Sequence, residues 1–361
     1  MTADAGAVPG PGVRRPLDLL LMVRGLAALS VVVWHAEGYR ERLPAVINTP
    51  GRVAVWLFFG ISGYVIGYGF IHERYRLTLP DLRDFYTNRL LRIYPLFLTL
   101  SAVGWIAERM TTGQSPIGLA DLPAQLMAAQ FNQSYVLNGV FWTLGIEIHF
   151  YLLAPLLVLP LLMKSGARWL LALVVYAAAL FWCDFAVTHL GWSWDGRNVL
   201  SNLPHFLAGM IACRMVADRD VRLPPAGLSA AGALALLTVA NWLYHREVAL
   251  FWSVRGLLVV DAAVVLLVYA HAAIARKRFA ANAVIRPLAM LGTLSYGLYA
   301  WHPYVMKYIP WTTDHLVVLI IASIGAAYVT YRIVERRALQ LKRHPGTAAD
   351  AGGQMPALVT F

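Results

Sequence analysis

Residues 17–36 read Leu17-Asp18-Leu-Leu-Leu-Met-Val-Arg24-Gly-Leu-Ala-Ala-Leu-Ser-Val-Val-Val-Trp34-His35-Ala36, an apolar run that holds an arginine and a histidine. A transmembrane helix needs about 20 consecutive, mostly apolar residues, and this run is long enough. Arg14 and Arg15 stand just before it, so a secretory signal peptide is the first alternative. No small-x-small cleavage site follows, and Arg24 and His35 lie inside the run, which argues for an uncleaved first span. The two ionisable groups are eleven residues apart. Eleven helical steps bring them within roughly 20° of one face and about 16 Å apart along the axis.

The same pattern recurs along the chain. Apolar segments fall near residues 17–36, 53–71, 93–107, 140–163, 169–188, 199–212, 226–244, 256–274, 287–306 and 316–331. The stretch from Leu122 to Phe131 is too polar to span and is expected to lie in the interface. Composition agrees, with 59% of the 361 residues apolar and only 14% charged, where a soluble domain carries about a quarter charged residues. Aromatics at 12% exclude a disordered chain. The expected fold is all-α and polytopic, with about ten transmembrane helices. One membrane domain over residues 17–340 is expected between flexible tails at 1–16 and 341–361.

The formal net charge of +11 calls for an explanation. With the N-terminus placed in the cytoplasm, 21 of the 30 lysines and arginines fall in cytoplasmic segments and 7 in outer ones. Such a bias orients membrane proteins, so both termini are expected in the cytoplasm, in a bacterial inner or plasma membrane. The basic residues are spread over many short loops, which excludes a nucleic-acid-binding domain. Cys183 and Cys213 form neither a disulfide framework nor a metal-binding spacing, and no metal site is expected.

A charge at membrane depth is costly and by default faces a cavity. With Arg24 towards the cytoplasm, His35 sits in the middle-to-outer part of the membrane, where an imidazole is suited to move a proton near neutral pH. The bland alternative is a snorkelling arginine and a helix-end histidine. Arg89-Leu-Leu-Arg92 closes the first large cytoplasmic loop, and its i, i+3 spacing aligns two guanidinium forks suited to phosphate. The same pair also reads as a simple orientation signal. Glu147 lies in Phe141-Trp142-Thr-Leu-Gly-Ile-Glu147-Ile-His149-Phe150-Tyr151 and needs a partner from another helix. Arg24 and His35 are the candidates, and beside His35 a carboxylate would raise the basicity of the imidazole; a structural ion pair is the alternative. Ser295-Tyr296-Gly-Leu-Tyr299-Ala-Trp301-His302-Pro303 ends the ninth segment. Asp184, His205, Asp261 and His271 show no distinguishing spacing, and structural roles are expected for them.

Taken in order, these stretches resemble acyltransferase family 3, the integral-membrane O-acyltransferases. The matching motifs are Arg24 with His35 eleven residues on, Phe58-Phe59-Gly-Ile-Ser62-Gly63-Tyr64, Arg89-Leu-Leu-Arg92-Ile-Tyr94-Pro95, Trp142 to Tyr151 with Glu147, Ser295 to Pro303, and Tyr331-Arg-Ile-Val-Glu335. The likeness runs from about residue 17 to 340. It implies transfer of an acyl group, commonly acetyl, from acyl-CoA as a co-substrate to a hydroxyl acceptor at the membrane. By this resemblance His35 is the expected general base, and Arg24, Arg89 and Arg92 belong to the functional motifs. They are assigned to the phosphates of the CoA thioester. Glu147 is expected to orient or polarise His35, while Ser62, Tyr296 and His302 are expected on the substrate side. The chain departs from the family's frequent Glu-Arg-Pro with Glu335-Arg336-Arg337, and an appended esterase-like domain is not expected. The expected acceptor is a surface or exported glycan, with a small molecule such as a glycosylated macrolide as the alternative. A proton-coupled transporter is the competing class, and direct transfer and an acyl-histidine intermediate both stay open.

Overall fold

The computed structural model describes residues 18–36, 44, 48–118, 121–126, 137–164, 166–218, 221–276 and 285–343. Among these residues the chain is helical, with no strand. The main helices are α1 (Leu19–His35), α2 (Gly51–Ile71), α3 (Leu79–Thr112), α4 (Trp142–Leu157), α5 (Ala167–His189), α6 (Val199–Ala217), α7 (Ala226–Arg246), α8 (Val254–Arg276), α9 (Ile285–Thr293), α10 (Ser295–Tyr308) and α11 (Leu316–Thr330). Eight of the ten expected segments are helices long and apolar enough to cross a membrane. The other two are helical as well: α1 has 17 residues, and the ninth segment is broken at Leu294 into α9 and α10. Of the expected interfacial stretch, Leu122–Leu126 forms one short helix, and residues 127–131 lie outside the described residues.

The third helix departs most from expectation. It runs 34 residues, so Arg89 and Arg92 lie within it rather than at the end of a loop. The cause is local: Thr78 caps the backbone N–H of Asp81 and Pro80 sits in the first turn, where its missing N–H costs nothing. Phe85, Asn88, Ile93, Leu96 and Phe97 then make a buried stripe through the charged half. Hydropathy alone cannot see an amphipathic extension of this kind, because its charges average away the stripe.

At the centre of the bundle is α2, buried along most of its length. Its glycines bring it against α6: a Cβ at Gly63 would collide with the carbonyl oxygen of Phe206, and one at Gly209 with that of Gly60. Small residues at such spacing let two backbones touch, which is how membrane helices associate where no hydrophobic force distinguishes lipid from protein. The α1–α9 contact works the same way, since a Cβ on Gly25 would lie 2.7 Å from the backbone nitrogen of Gly292. Outer helices keep apolar faces open, including Leu173 and Phe181 on α5, Leu234 on α7, and Val317 and Ile321 on α11. These faces suit contact with lipid.

At its end α11 passes into a π-helical turn, Tyr331–Glu335, and then a short helix, Arg336–Gln340. Arginine in place of the expected proline at position 337 leaves nothing to end the helix there. The last described residue, Arg343, is held against α3, where its backbone N–H donates to Asn88 Oδ1 at 2.7 Å.

Candidate active site

A cavity with about 770 Å³ of free space, its open mouth included, lies between α1, α2, α3, α4 and α10. Six of the eight residues singled out in the sequence line it: Arg24, Ser62, Arg89, Arg92, Glu147 and Tyr296. The remaining two, His35 and His302, pair with each other beyond it.

Three guanidinium groups dominate one part of the cavity. That of Arg24 stands 6.0 Å from the ring centre of Phe58. Arg89 lies between the rings of Phe85 and Tyr151, at 5.6 and 5.7 Å. Arg92 faces Tyr296 at 5.8 Å and stands 3.7 Å from Glu335 Oε2. Aromatic faces are one of the few supports that hold a guanidinium in place without occupying its N–H donors. Glu335 is 3% exposed. It has no site role among the sequence expectations, although it ends the motif Tyr331-Arg-Ile-Val-Glu335. The signal was present: an arginine pair on α3 requires a carboxylate from somewhere, and the turn just past the tenth segment supplies one.

Glu147 and Ser62 join α4 to α2, the Ser62 hydroxyl donating to Glu147 Oε1 at 2.6 Å. Of the two cations the sequence offers Glu147, Arg24 feels its charge. The Tyr296 hydroxyl donates to the carbonyl of Ile93 at 2.9 Å, which leaves its oxygen as an acceptor only. Tyr299, passed over in the sequence, also lines the cavity, and its hydroxyl donates to the carbonyl of Val140 at 3.1 Å.

The histidine pair sits at the far end of α1. His35 is exposed and His302 is fully buried. Their rings stack at 5.0 Å with 28° between planes. His35 Nδ1 is 3.1 Å from His302 Nε2 and 3.0 Å from the carbonyl oxygen of Val31. Pro303 cannot donate to the carbonyl of Tyr299, and that carbonyl, with that of Leu298, faces His302. Tyr299 connects the two regions: it lines the cavity, and its ring stands 5.9 Å from that of His302.

The four ionisable residues expected to be structural lie off this cavity. Asp261 accepts from Tyr176 at 2.7 Å and pairs with His205 Nδ1 at 2.6 Å, and the His205 ring stacks on Trp56. His271 Nδ1 is 3.7 Å from Asp18, whose carboxylate caps the start of α1. Asp184 borders a surface recess with Arg255.

Comparison with known proteins gives the site a context. A family model described as an acyltransferase domain matches residues 20–332. The O-acetyltransferase OatA of Staphylococcus aureus is 25% identical over 351 residues, which cover 87% of this chain and 55% of that protein. A protein of Komagataeibacter xylinus named as the membrane-bound transacylase BcsY is 24% identical over 366 residues, covering 94% of this chain and 86% of its own. The chain thus spans about half the length of the Staphylococcus relatives it matches. No solved structure matches it.

Proposed function

The chain belongs to the acyltransferase family whose model covers residues 20–332, and on that premise we propose that it is a membrane O-acyltransferase carrying acetyl from acyl-CoA to a hydroxyl of a surface or exported glycan. One observation carries the reading. A cavity rich in guanidinium groups lies about 16 Å, measured along α1, from an exposed histidine whose ring is fixed by a second histidine.

Arg24, Arg89 and Arg92 hold the donor's phosphates, whose several negative charges a basic cavity concentrates and orients. Glu147 and Glu335 limit the repulsion among the guanidiniums while no donor is bound. The thioester end of the donor then extends past Tyr299 towards the histidine pair.

The proton arrangement follows from the contacts of His35. A carbonyl oxygen can only accept, so the nitrogen beside Val31 O carries the proton, and His35 is the Nδ1–H tautomer. His302 Nε2 then accepts from the same N–H. This leaves His35 Nε2 as a lone pair, the form a general base requires. It takes the proton of the acceptor hydroxyl while that oxygen bonds to the acyl carbon. The carbon–sulfur bond breaks, and the departing thiolate takes the proton back from the imidazolium. His302 fills the place of the third group that orients the base in a catalytic triad.

The test is mass spectrometry of surface glycans and exported metabolites from wild type and His35→Ala at equal membrane abundance. Loss of one acetyl group from a glycan supports the reading in full. Loss from a small glycosylated metabolite moves the acceptor to the macrolide class. Full acylation in His35→Ala ends the role of His35. Substrate flux across vesicles with no acyl donor present would favour a transporter instead.

A further inference from the structure

Asn88 precedes Arg89 on α3 and is 2% exposed. Its amide nitrogen donates to the Tyr75 hydroxyl at 2.9 Å and to the carbonyl of Arg343 at 2.7 Å, while its oxygen accepts from the N–H of Arg343 at 2.7 Å. A side-chain amide that satisfies both backbone groups of one residue fixes that residue in position and direction. Arg343 adds a contact to Asp84, one turn earlier, at 3.3 Å. The segment after the last helix is therefore pinned across α3.

The pin brings Lys342 among cations. Arg92, Arg89, Arg74 and Arg24 all act on its charge. Carboxylates beside the cluster are Glu335, against Arg92, Glu147 on the cavity wall, Asp18, which acts on Arg24, and Asp84, which faces Arg343. Protonating Lys342 beside four arginines is unfavourable in the protein alone, and a clamp that holds an amine there suits a site for an anion. We propose that Lys342, seated by Asn88, completes a polyphosphate site with Arg24, Arg89 and Arg92 and contacts a phosphate of the nucleotide donor. This rests on the donor assignment of the preceding subsection.

Proton uptake follows. Burial first, and then the four arginine charges, hold Lys342 down at about 6, against an ordinary 10.5. The empty site therefore carries a neutral amine at pH 7. A bound polyanion cancels the arginine repulsion and favours the ammonium form, so binding takes up a proton. Affinity is highest below pH 6 and falls as pH rises, by at most about tenfold per unit. Phosphate's own second ionisation lies near 6, but it is common to all variants and cancels in comparison.

The experiment measures acetyl-CoA binding by the full chain in vesicles between pH 5.5 and 8.5, for wild type, Lys342→Ala and Lys342→Arg. Lys342→Ala is expected to bind roughly tenfold more weakly at pH 6, with the gap closing as pH rises. Lys342→Arg, which keeps its proton, is expected to retain high affinity with no fall relative to Lys342→Ala. Equal affinity and equal pH slope in wild type and Lys342→Ala would overturn the inference and leave the donor assignment standing. No acetyl-CoA binding by wild type would overturn both. A Lys342 effect seen only in vesicles containing phosphatidylglycerol, and not in phosphatidylcholine, would assign the lysine to lipid headgroups and overturn the donor contact.

Discussion

His302, with no exposed surface, sets its Nε2 3.1 Å from Nδ1 of the exposed His35. A buried ring thus packs against the one imidazole nitrogen of His35 that also meets the Val31 carbonyl. With His35 as the proposed Nδ1–H tautomer, position 302 has to offer an acceptor. His302→Ala is expected to lower kcat by roughly tenfold to a hundredfold, a part of the 10²–10⁴ that a general base supplies, with the donor KM near wild type. His302→Gln keeps an acceptor oxygen and should restore part of the rate, whereas His302→Lys offers donors alone and should not. Wild-type kcat in His302→Ala would remove the residue from the mechanism.

Arg89 differs from its neighbours in being held between two aromatic faces, Phe85 and Tyr151. It also lines the cavity. Arg89→Ala should raise the acetyl-CoA KM about tenfold or more with little change in kcat, the pattern of lost ground-state binding. Arg89→Lys should recover charge but not the planar fork, giving an intermediate KM. Steady-state kinetics in membranes decide it, and an unchanged KM in Arg89→Ala would take the residue out of the donor site.

Glu335 is the partner that makes Arg92 tolerable in a dry setting. Removing one member of a buried pair leaves the other uncompensated, at a cost of roughly 3 kcal/mol. Glu335→Gln is therefore expected to lower the unfolding midpoint in detergent, and adding Arg92→Met should recover much of the loss. If the two changes are simply additive in a double-mutant cycle, the residues are not coupled.

The glycines of the α2–α6 seam divide sharply from the rest. Gly63→Ala forces a methyl into the carbonyl of Phe206, while a methyl at Gly227 or Gly325 meets nothing within 4 Å. The first substitution should cost about 1–3 kcal/mol or more through overpacking. The other two should be neutral or slightly stabilising, because alanine restricts the unfolded chain and favours helix. Midpoints from fluorescence-detected size exclusion separate these outcomes; equal midpoints would mean the seam yields.

Much of this arrangement was legible beforehand. Arg24, His35 and Glu147 stand out because a charge inside an apolar run is conspicuous, and helical spacing alone puts Arg24 and His35 on one face. Arg89 and Arg92 were legible as a pair, but not their setting, since the charged half of α3 looks like a loop until its buried stripe is known. Lys342 was hidden by the orientation bias, which explains every basic residue at that end equally well. Glu335 and Tyr299 acquire meaning only from their neighbours in space. The glycines at 60, 63 and 67 could have been found, for they recur at the spacing of one helix face.

The π-turn at Tyr331–Glu335 fits one additional residue into a turn. Every residue beyond it is thereby rotated by about 100° relative to a straight continuation of α11. The heading of the segment that ends at Arg343 is thus a matter of residue count and not of residue type. A one-residue deletion near Ile333 would leave every charged and aromatic side chain of the cavity in the sequence, yet swing residues 341–343 away from Asn88. The reach of the C-terminal end is set by arithmetic along the helix, and an insertion there undoes the clasp on Arg343 as surely as a substitution of Asn88.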